Sequence, residues 1–595
     1  MRYRIIFGTL IVLAFVGSFV VQRALVTPRV QTVEIAHDAH DTSTAPSPFL
    51  QVILPHHLVA IAQMRSLLAD VRTQITPQRI VIVSPNHFGA GHGAVQVFAA
   101  PYAVRSDTHF PMDTAAVRAL PQDIVRTTRP FTREHGMFNL LPLLHTTFPD
   151  AQFIALMVRP GATANDVATL ARALRSLRDV PTLVVYSVDF VHNGDIGTAD
   201  IKNHVMAQRL SQDRVDDVDR WDVDCPACLR VATAVARANG ARFVLATHSS
   251  AAAILHQPLP GENTSYILGT FTAQQQAKQS DVAVALFTGD IMLDRSMRAL
   301  SDARGGVGAL IAPVERLFRG ADVVVGNLEG VVSDAPSVSV AAAHNTAARD
   351  HYRFRFPAAR VRAVADAMRA PLVVFDGNNH ILDFGATAAA QSRAALATVG
   401  IPVLGDVRTQ DAATQVLRRT LGGRAVSFVS FNAFLGHGFE SARDAVAREA
   451  AAGRDVVVLT HWGSEYARTA DVTLRAWAHA FVDAGARLVV GTHPHVLQPL
   501  EVYNRGVIFY SLGNFLFDQF FSAAVRERPV VLCAWSDAET RCALTPLVHN
   551  YKASLAVQNA ADRAATWDYL ADTAIGVTPA QREMLRTRGT IVVAR

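Results

Sequence analysis

The 595-residue chain carries only four cysteines, no phosphate-cradling GxxxxGK[ST] loop and no GxGxxG dinucleotide fingerprint. The last two absences set aside P-loop nucleotide hydrolysis and dinucleotide-dependent hydride transfer. Charge of one sign is scarce as well. Lysine and arginine exceed aspartate and glutamate by only five, and no long basic run gathers that excess, so nucleic acid is not an expected partner. What the chain has in quantity is apolar residues. Half are hydrophobic and mean hydropathy is +0.19, enough to bury cores, and the length predicts two to four domains.

Long hydrophobic runs are nearly absent, with one exception at residues 5–21, preceded by Arg2 and Arg4. That length suffices for a spanning helix, and the arginines predict a cytoplasmic N-terminus with the bulk of the chain extracytoplasmic. No small-residue cleavage site or lipid-accepting cysteine follows, so residues 1–24 read as an uncleaved signal anchor of a single-pass cell-membrane protein. Residues 25–48, rich in Thr, Ser, Asp, His and Pro, read as a tether, with His37 and His40 solvated on it.

Two of the cysteines, Cys533 and Cys542, lie in apolar runs either side of a polar turn, which fits either a hairpin disulfide or two core thiols. The other two form a lone CPAC at Cys225 and Cys228.

Residues 49–273 alternate short apolar runs with amphipathic stretches, the pattern of an α/β domain. FLQVIL (49–54) runs into His56, RIVIVS (79–84) into His87, and TLVVYS (182–187) into Asp189 and His192. In a parallel sheet the carboxyl ends of strands share one edge, so these groups are placed to converge. A polar link follows at 274–280, and a second α/β alternation occupies 281–549. There Asp290, Asn327 with Glu329, Asn379 with His380, His461, and His493 with His495 each follow an apolar run. Singly, each has a capping or turn explanation. Five strand ends supplying carboxylate, amide and imidazole together point to a shared site. These donors suit one or two divalent ions, Mn, Zn or Fe, and hydrolysis is the natural chemistry. His493 and His495, one proline apart, face one way if that segment is extended. SLGNF brings Asn514 beside them. Trp462 and Glu465 are candidates to line a substrate groove, with core packing the alternative for Trp462. Residues 550–595 read as an extension packing on the second domain.

The first domain's PHH, SPNH, EH and VDFVHNG segments, followed by Cys225, resemble the Memo family, the AmmeMemoRadiSam system protein B group, whose fold is similar to extradiol dioxygenases. That likeness implies a copper, iron or zinc pocket made by His56, His87, His192 and Cys225, with Asp189, Glu134 and His135 around it. Phe138 and Pro226 depart from the family pattern. A disulfide between Cys225 and Cys228 would remove the thiolate.

The second domain's GDIMLDR, GNLEG, NNHILDFG, HWGSEY, GTHPHV and YSLGNFLFD resemble the CapA family of capsule and poly-gamma-glutamate synthesis proteins, which are similar to calcineurin-like metallophosphatases. The likeness implies a two-sheet α/β sandwich with Asp290, Glu329, Asn379, His461, His493 and His495 as metal ligands. It further implies His380 as general acid held by Asp383, and Asn327 lining the site. The Asp-x-His of the phosphatases is missing, since Ile291 and Met292 follow Asp290. The implied activity is hydrolysis of an anionic envelope polymer or its phosphorylated precursor, with other polymer-synthesis membrane proteins as partners. A non-catalytic assembly factor and a Memo-type redox or metal-handling protein are the alternatives.

Overall fold

A computed structural model describes residues 49–595 apart from 106, 129, 130, 132, 193, 258–262, 274–279, 342–348, 406–414, 436, 437 and 552. The expected membrane anchor and tether therefore lie outside the described residues. Among those described, no helix is long and apolar enough to cross a membrane.

The first domain is built on an eight-stranded sheet. Its centre runs Gln152–Val158, Arg79–Pro85, Thr182–Ser187 and Phe49–Leu54, all parallel, and Ser265–Thr272 and Arg242–Ser250 extend it antiparallel. The strands are buried throughout the parallel centre because helices cover both faces, which is why they read as continuous apolar runs without alternation.

In the second domain two sheets stack. One is ordered Val403–Leu404, Leu372–Phe375, Val323–Leu328, Ala283–Ile291, Val530–Trp535, Glu539–Thr545 and Thr590–Ala594, with Asn514–Leu516 added beside Ala283–Ile291. The other is ordered Val416–Leu421, Arg424–Asn432, Asp455–His461, Ala486–Thr492, Gly506–Phe509 and Leu500–Tyr503. Side chains alternate across the strand Ala283–Ile291. Ala283, Ala285 and Phe287 meet Val457, Leu459, Leu488 and Val490 of the facing sheet, while Val284 and Leu286 pack on the helix side. Cys533 and Cys542 sit directly opposite each other on neighbouring antiparallel strands and are joined as a disulfide.

The last residues complete this sheet. Thr590–Ala594 pairs antiparallel with Glu539–Thr545, and Trp567 donates its indole N–H to the Leu544 carbonyl at 3.1 Å. Gly589 ends the preceding helix at a φ of 62°, where a Cβ would lie 2.2 Å from the Trp567 Nε1, so only glycine serves.

The two domains meet along the helix Ile196–Ser211, whose Ile201 and Val205 belong to the second domain's core. Its N-cap Asp195 accepts from Thr545 Oγ1, Thr198 and Thr545 hydroxyls are 2.9 Å apart, and buried Lys202 bonds Asp222 at 3.3 Å and the Arg316 carbonyl at 2.8 Å. At Gly197 a Cβ would come within 2.2 Å of Thr590 Oγ1 and 2.5 Å of the Arg588 carbonyl. The backbones touch there.

Candidate functional site

The parallel strands of the second domain bring their carboxyl ends to one edge of the sandwich, and two linked groups of polar side chains form there. In the first group His495 Nδ1 lies 2.9 Å from Asp290 Oδ2, and His495 Nε2 lies 3.9 Å from Glu329 Oε1. Asp290, Glu329 and His495 are all buried, with ligand atoms within 4.8 Å of one another. In the second, His461 Nε2 is 2.8 Å from Asn379 Oδ1 and 3.1 Å from His493 Nδ1. Asn327 links them, donating from Nδ2 to Asp290 Oδ1 at 2.8 Å while lying 3.4 Å from His461 Nδ1. Asn378 in turn donates to Asn327 Oδ1 at 3.0 Å.

His493 and His495 reach these groups for a different reason than an extended segment would supply. The strand Ala486–Thr492 ends before them, and both adopt left-handed backbone, φ 97° and 60°. Such strain in non-glycine residues persists only where the surroundings impose it, and it gathers at functional sites. Gly491 lets the strand run close against the Tyr510 backbone just before the turn, since a Cβ there would lie 2.0 Å from the Tyr510 carbonyl oxygen. The two imidazoles then serve separate groups, their centroids 6.0 Å apart.

Electrostatics differ between the two imidazoles. Burial lowers His493 to about 4, helped by the nearby His495, and burial with the same neighbours holds His461 well below its usual value. Burial also works against a charged His495, but Glu329 and Asp290 outweigh it and raise it to about 9. Glu329 is pushed well above the carboxylate range by burial and by Asp290. Neither Glu329 oxygen has a hydrogen-bond partner among the described residues, and both are buried. A carboxylate sealed from water without donors is a costly arrangement that a cation resolves. The carboxylate, amide and imidazole donors fit a borderline or hard divalent ion. Ile291 and Met292, where an Asp-x-His would place an imidazole, are buried and apolar and contribute no ligand.

His380 stands beside the first group, Nε2 3.9 Å from Glu329 Oε1, with Nδ1 held by Asp383 Oδ2 at 3.1 Å and its ring 4.3 Å from Phe354. Glu465 is exposed at the rim, close enough for its charge to bear on Glu329, His493 and His495. Trp462 corrects the groove expectation. It is fully buried, gives its indole N–H to the Tyr510 carbonyl at 2.9 Å and packs near Phe431, so it floors the site and cannot touch a ligand. Asn514, expected at the substrate, is buried and spends its amide inside the protein. Its Oδ1 lies 3.0 Å from His495 Nδ1, and its Nδ2 serves His495, Gln519 and Val525, so it orients the imidazole.

In the first domain the strand ends converge on His56, whose Nε2 lies 3.4 Å from Asp189 Oδ2 and 3.3 Å from Asp224 Oδ2, with Nδ1 3.0 Å from Ser187 Oγ. His87 is 2.6 Å from Glu134 through Nδ1 and 3.5 Å from Asp224 through Nε2, and His135 stacks on it at 4.1 Å. Burial lowers His56 to about 4. Burial also opposes a charged His87, but Asp224 and Glu134 raise it to about 9. One expected ligand is corrected. Cys225 is bonded to Cys228 and caps the helix Pro226–Ala238, accepting from the Cys228 N–H, so it offers no thiolate. The neighbouring Asp224 carboxylate, one position before it, is the group that stands with His56 and Asp189. His192 stands outside both ligand groups found among the described residues, and its Nδ1 is buried with no hydrogen-bond partner there.

Comparison with known proteins agrees with this division. Residues 284–519 match the family model of the bacterial capsule synthesis protein PGA_cap, and residues 44–222 match that of Memo-like protein. The chain is 30% identical over 263 residues to the PGA biosynthesis protein CapA of Bacillus subtilis (strain 168), covering 42% of this chain and 67% of that protein. It is 28% identical over 260 residues to the capsule biosynthesis protein CapA of Bacillus anthracis, covering 41% of this chain and 61% of that protein.

Proposed function

Because the chain belongs to the bacterial capsule synthesis protein family, joined here to a Memo-like domain, we propose that it is a metal-dependent hydrolase in the making of an anionic, poly-gamma-glutamate-type envelope polymer. The observation that carries this reading is Glu329, a fully buried carboxylate with neither oxygen hydrogen-bonded among the described residues, beside Asp290 and His495. Asp290, Glu329 and His495 would hold one divalent ion, Mn, Zn or Fe, and Asn379, His461 and His493 a second. Such ions supply Lewis acidity toward a substrate oxygen and toward attacking water. The protein's own part is to fix those donors and to move a proton. His380, oriented through Nδ1 by Asp383, presents Nε2 to the same space as a proton donor for the leaving oxygen. Asn327 and Asn378 hold Asp290 in place through a chain of amides.

A second reading, binding without turnover as an assembly factor, draws support from the apolar Ile291 and Met292 at the position where the phosphatase pattern has a ligand. A first-domain site for copper, iron or zinc on His56, Asp189 and Asp224, or on His56, His87 and His135, draws support from their mutual approach. An outward-facing, membrane-anchored location, with polymer-synthesis membrane proteins as neighbours, is supported by the apolar residues 5–21 and by the two disulfides.

The deciding experiment purifies the full chain, measures bound metal by mass spectrometry and assays phosphoesters and poly-gamma-glutamate before and after chelation. Metal-dependent cleavage of either substrate is expected. Stoichiometric metal with no cleavage of any substrate would hand the site to the assembly-factor reading.

A further inference from the structure

The rim of the second-domain pocket carries a guanidinium that none of these roles uses. Arg295 opens the helix Arg295–Asp302 with a left-handed φ of 45°, which costs a residue with a side chain. Asp518 holds it there, accepting from the Ser296 N–H at 3.2 Å, the Ser296 hydroxyl at 3.0 Å and Arg295 Nη2. The guanidinium carbon lies 4.6 Å from the Phe354 ring centre and 5.7 Å from that of Phe517. Those two rings also back the site histidines, Phe354 at 4.3 Å from His380 and Phe517 at 4.8 Å from His495. Arg295 is therefore one aromatic ring away from both.

Only 11% of the Arg295 side chain is exposed. Among the described residues its one hydrogen bond goes to Asp518, and Nε is buried without a partner. An arginine so far removed from water, with one donor unmet among the described residues, is costly unless an acceptor arrives. An ion pair that merely pinned the loop would account for Nη2 and Asp518. It leaves Nε, unmet among the described residues, and the placement against the two pocket rings without a purpose.

We propose that Arg295 is the substrate-anchoring residue of this site, receiving an oxyanion of the substrate next to the group that is cleaved. This rests on the hydrolase reading for the cleavage itself. The ligand chemistry is an oxyanion, either a carboxylate of the polymer or a phosphate of a precursor. The planar fork, stacked and fixed in direction, suits either better than a lysine ammonium would.

The test measures binding, so that it stands apart from turnover. The full chain and its R295K and R295Q variants are titrated calorimetrically with a gamma-linked glutamate oligomer, with its neutral amidated counterpart and with inorganic phosphate, while metal content and melting temperature are followed. R295Q is expected to weaken an oxyanion ligand about tenfold or more, with R295K recovering only part and metal content unchanged. The neutral oligomer should be insensitive to the substitution. Loss for the oligomer identifies the polymer carboxylate, and loss for phosphate alone identifies a phosphorylated precursor. The proposal is overturned if wild-type protein binds neither oxyanion, if R295Q binds both as wild type does, or if affinity falls only together with metal content. Should R295Q not fold, an R295K variant of wild-type affinity overturns it equally. Anchoring without any hydrolysis would refute the hydrolase reading and leave Arg295 its role.

Discussion

Asp290 and His495 come from opposite ends of the second domain's sequence, yet the imidazole Nδ1 lies 2.9 Å from the carboxylate Oδ2. Parallel pairing makes this meeting possible. Ala283–Ile291 delivers Asp290 and Ala486–Thr492 delivers the turn bearing His495 to the same edge of two stacked sheets.

Separate roles for the ligand groups and the proton donor make different demands on substitution. E329Q or His493→Ala should lower the metal content of the full chain. His380→Ala should leave metal bound and slow turnover by about a hundredfold or more, the usual scale for a general acid. Metal analysis beside steady-state rates separates the two, and loss of metal in His380→Ala with none lost in His493→Ala would reverse the assignments.

In the first domain the proposed ligand role of Asp224 can be tested directly. D224N should abolish zinc uptake by that site, measured in a background carrying E329Q, while C225S should spare it. The opposite result would restore Cys225 as a ligand.

Acid stability should depend on Asp455. Burial alone would raise its pKa, but Arg424 and Arg487 outweigh burial and hold it below the usual carboxylate value. A pKa depressed by folding adds stability that is fully present above the unfolded value, about 3.9, and disappears as pH falls through the folded one. Denaturant melts should show a plateau in this contribution down to about pH 4 and the decline below it, and D455N should reduce that decline. At neutral pH D455N should itself cost about 3–5 kcal/mol, because Arg487 is fully buried and would lose its countercharge.

Replacing Cys533 and Cys542 with serine should lower stability by about 2–3 kcal/mol, the loop-closure scale for so short a crosslink. Metal content should not change, since the bond lies between the sheets' core and not at the site. A variant as stable as wild type in chemical denaturation would show the bridge to be dispensable.

The strands were legible because parallel, doubly covered strands must be apolar along their length. Residues 49–54 and 182–187 read from the sequence coincide with Phe49–Leu54 and Thr182–Ser187. Polar groups just beyond them were legible for the same reason, as a break in an apolar run. What hid was set by conformation and by pairing. The left-handed turns at His493 and His495 have no signature in residue type, and extended spacing pointed the right way for the wrong reason. Asp224 was masked by its neighbour Cys225, whose identity drew the ligand role until its partner Cys228 claimed the sulfur. Trp462 looked like a groove residue because an indole serves a ligand or a core equally well, and only its burial under Tyr510 decides. Arg295 closed the GDIMLDR motif without a role assigned to it, since its meaning lies in the two rings around it.

The contact at Gly197 bears on how this chain could be divided. With backbone against backbone there, Ile201 and Val205 sunk in the neighbouring core, and Asp222 and Arg209 paired across the seam with Arg316 and Asp322, either half alone would present a raw apolar face and unmatched charges to solvent. Two polypeptides ending and beginning around residues 273 and 281, produced in one cell, should find each other and copurify as a stoichiometric pair. A valine at position 197 should make them strangers.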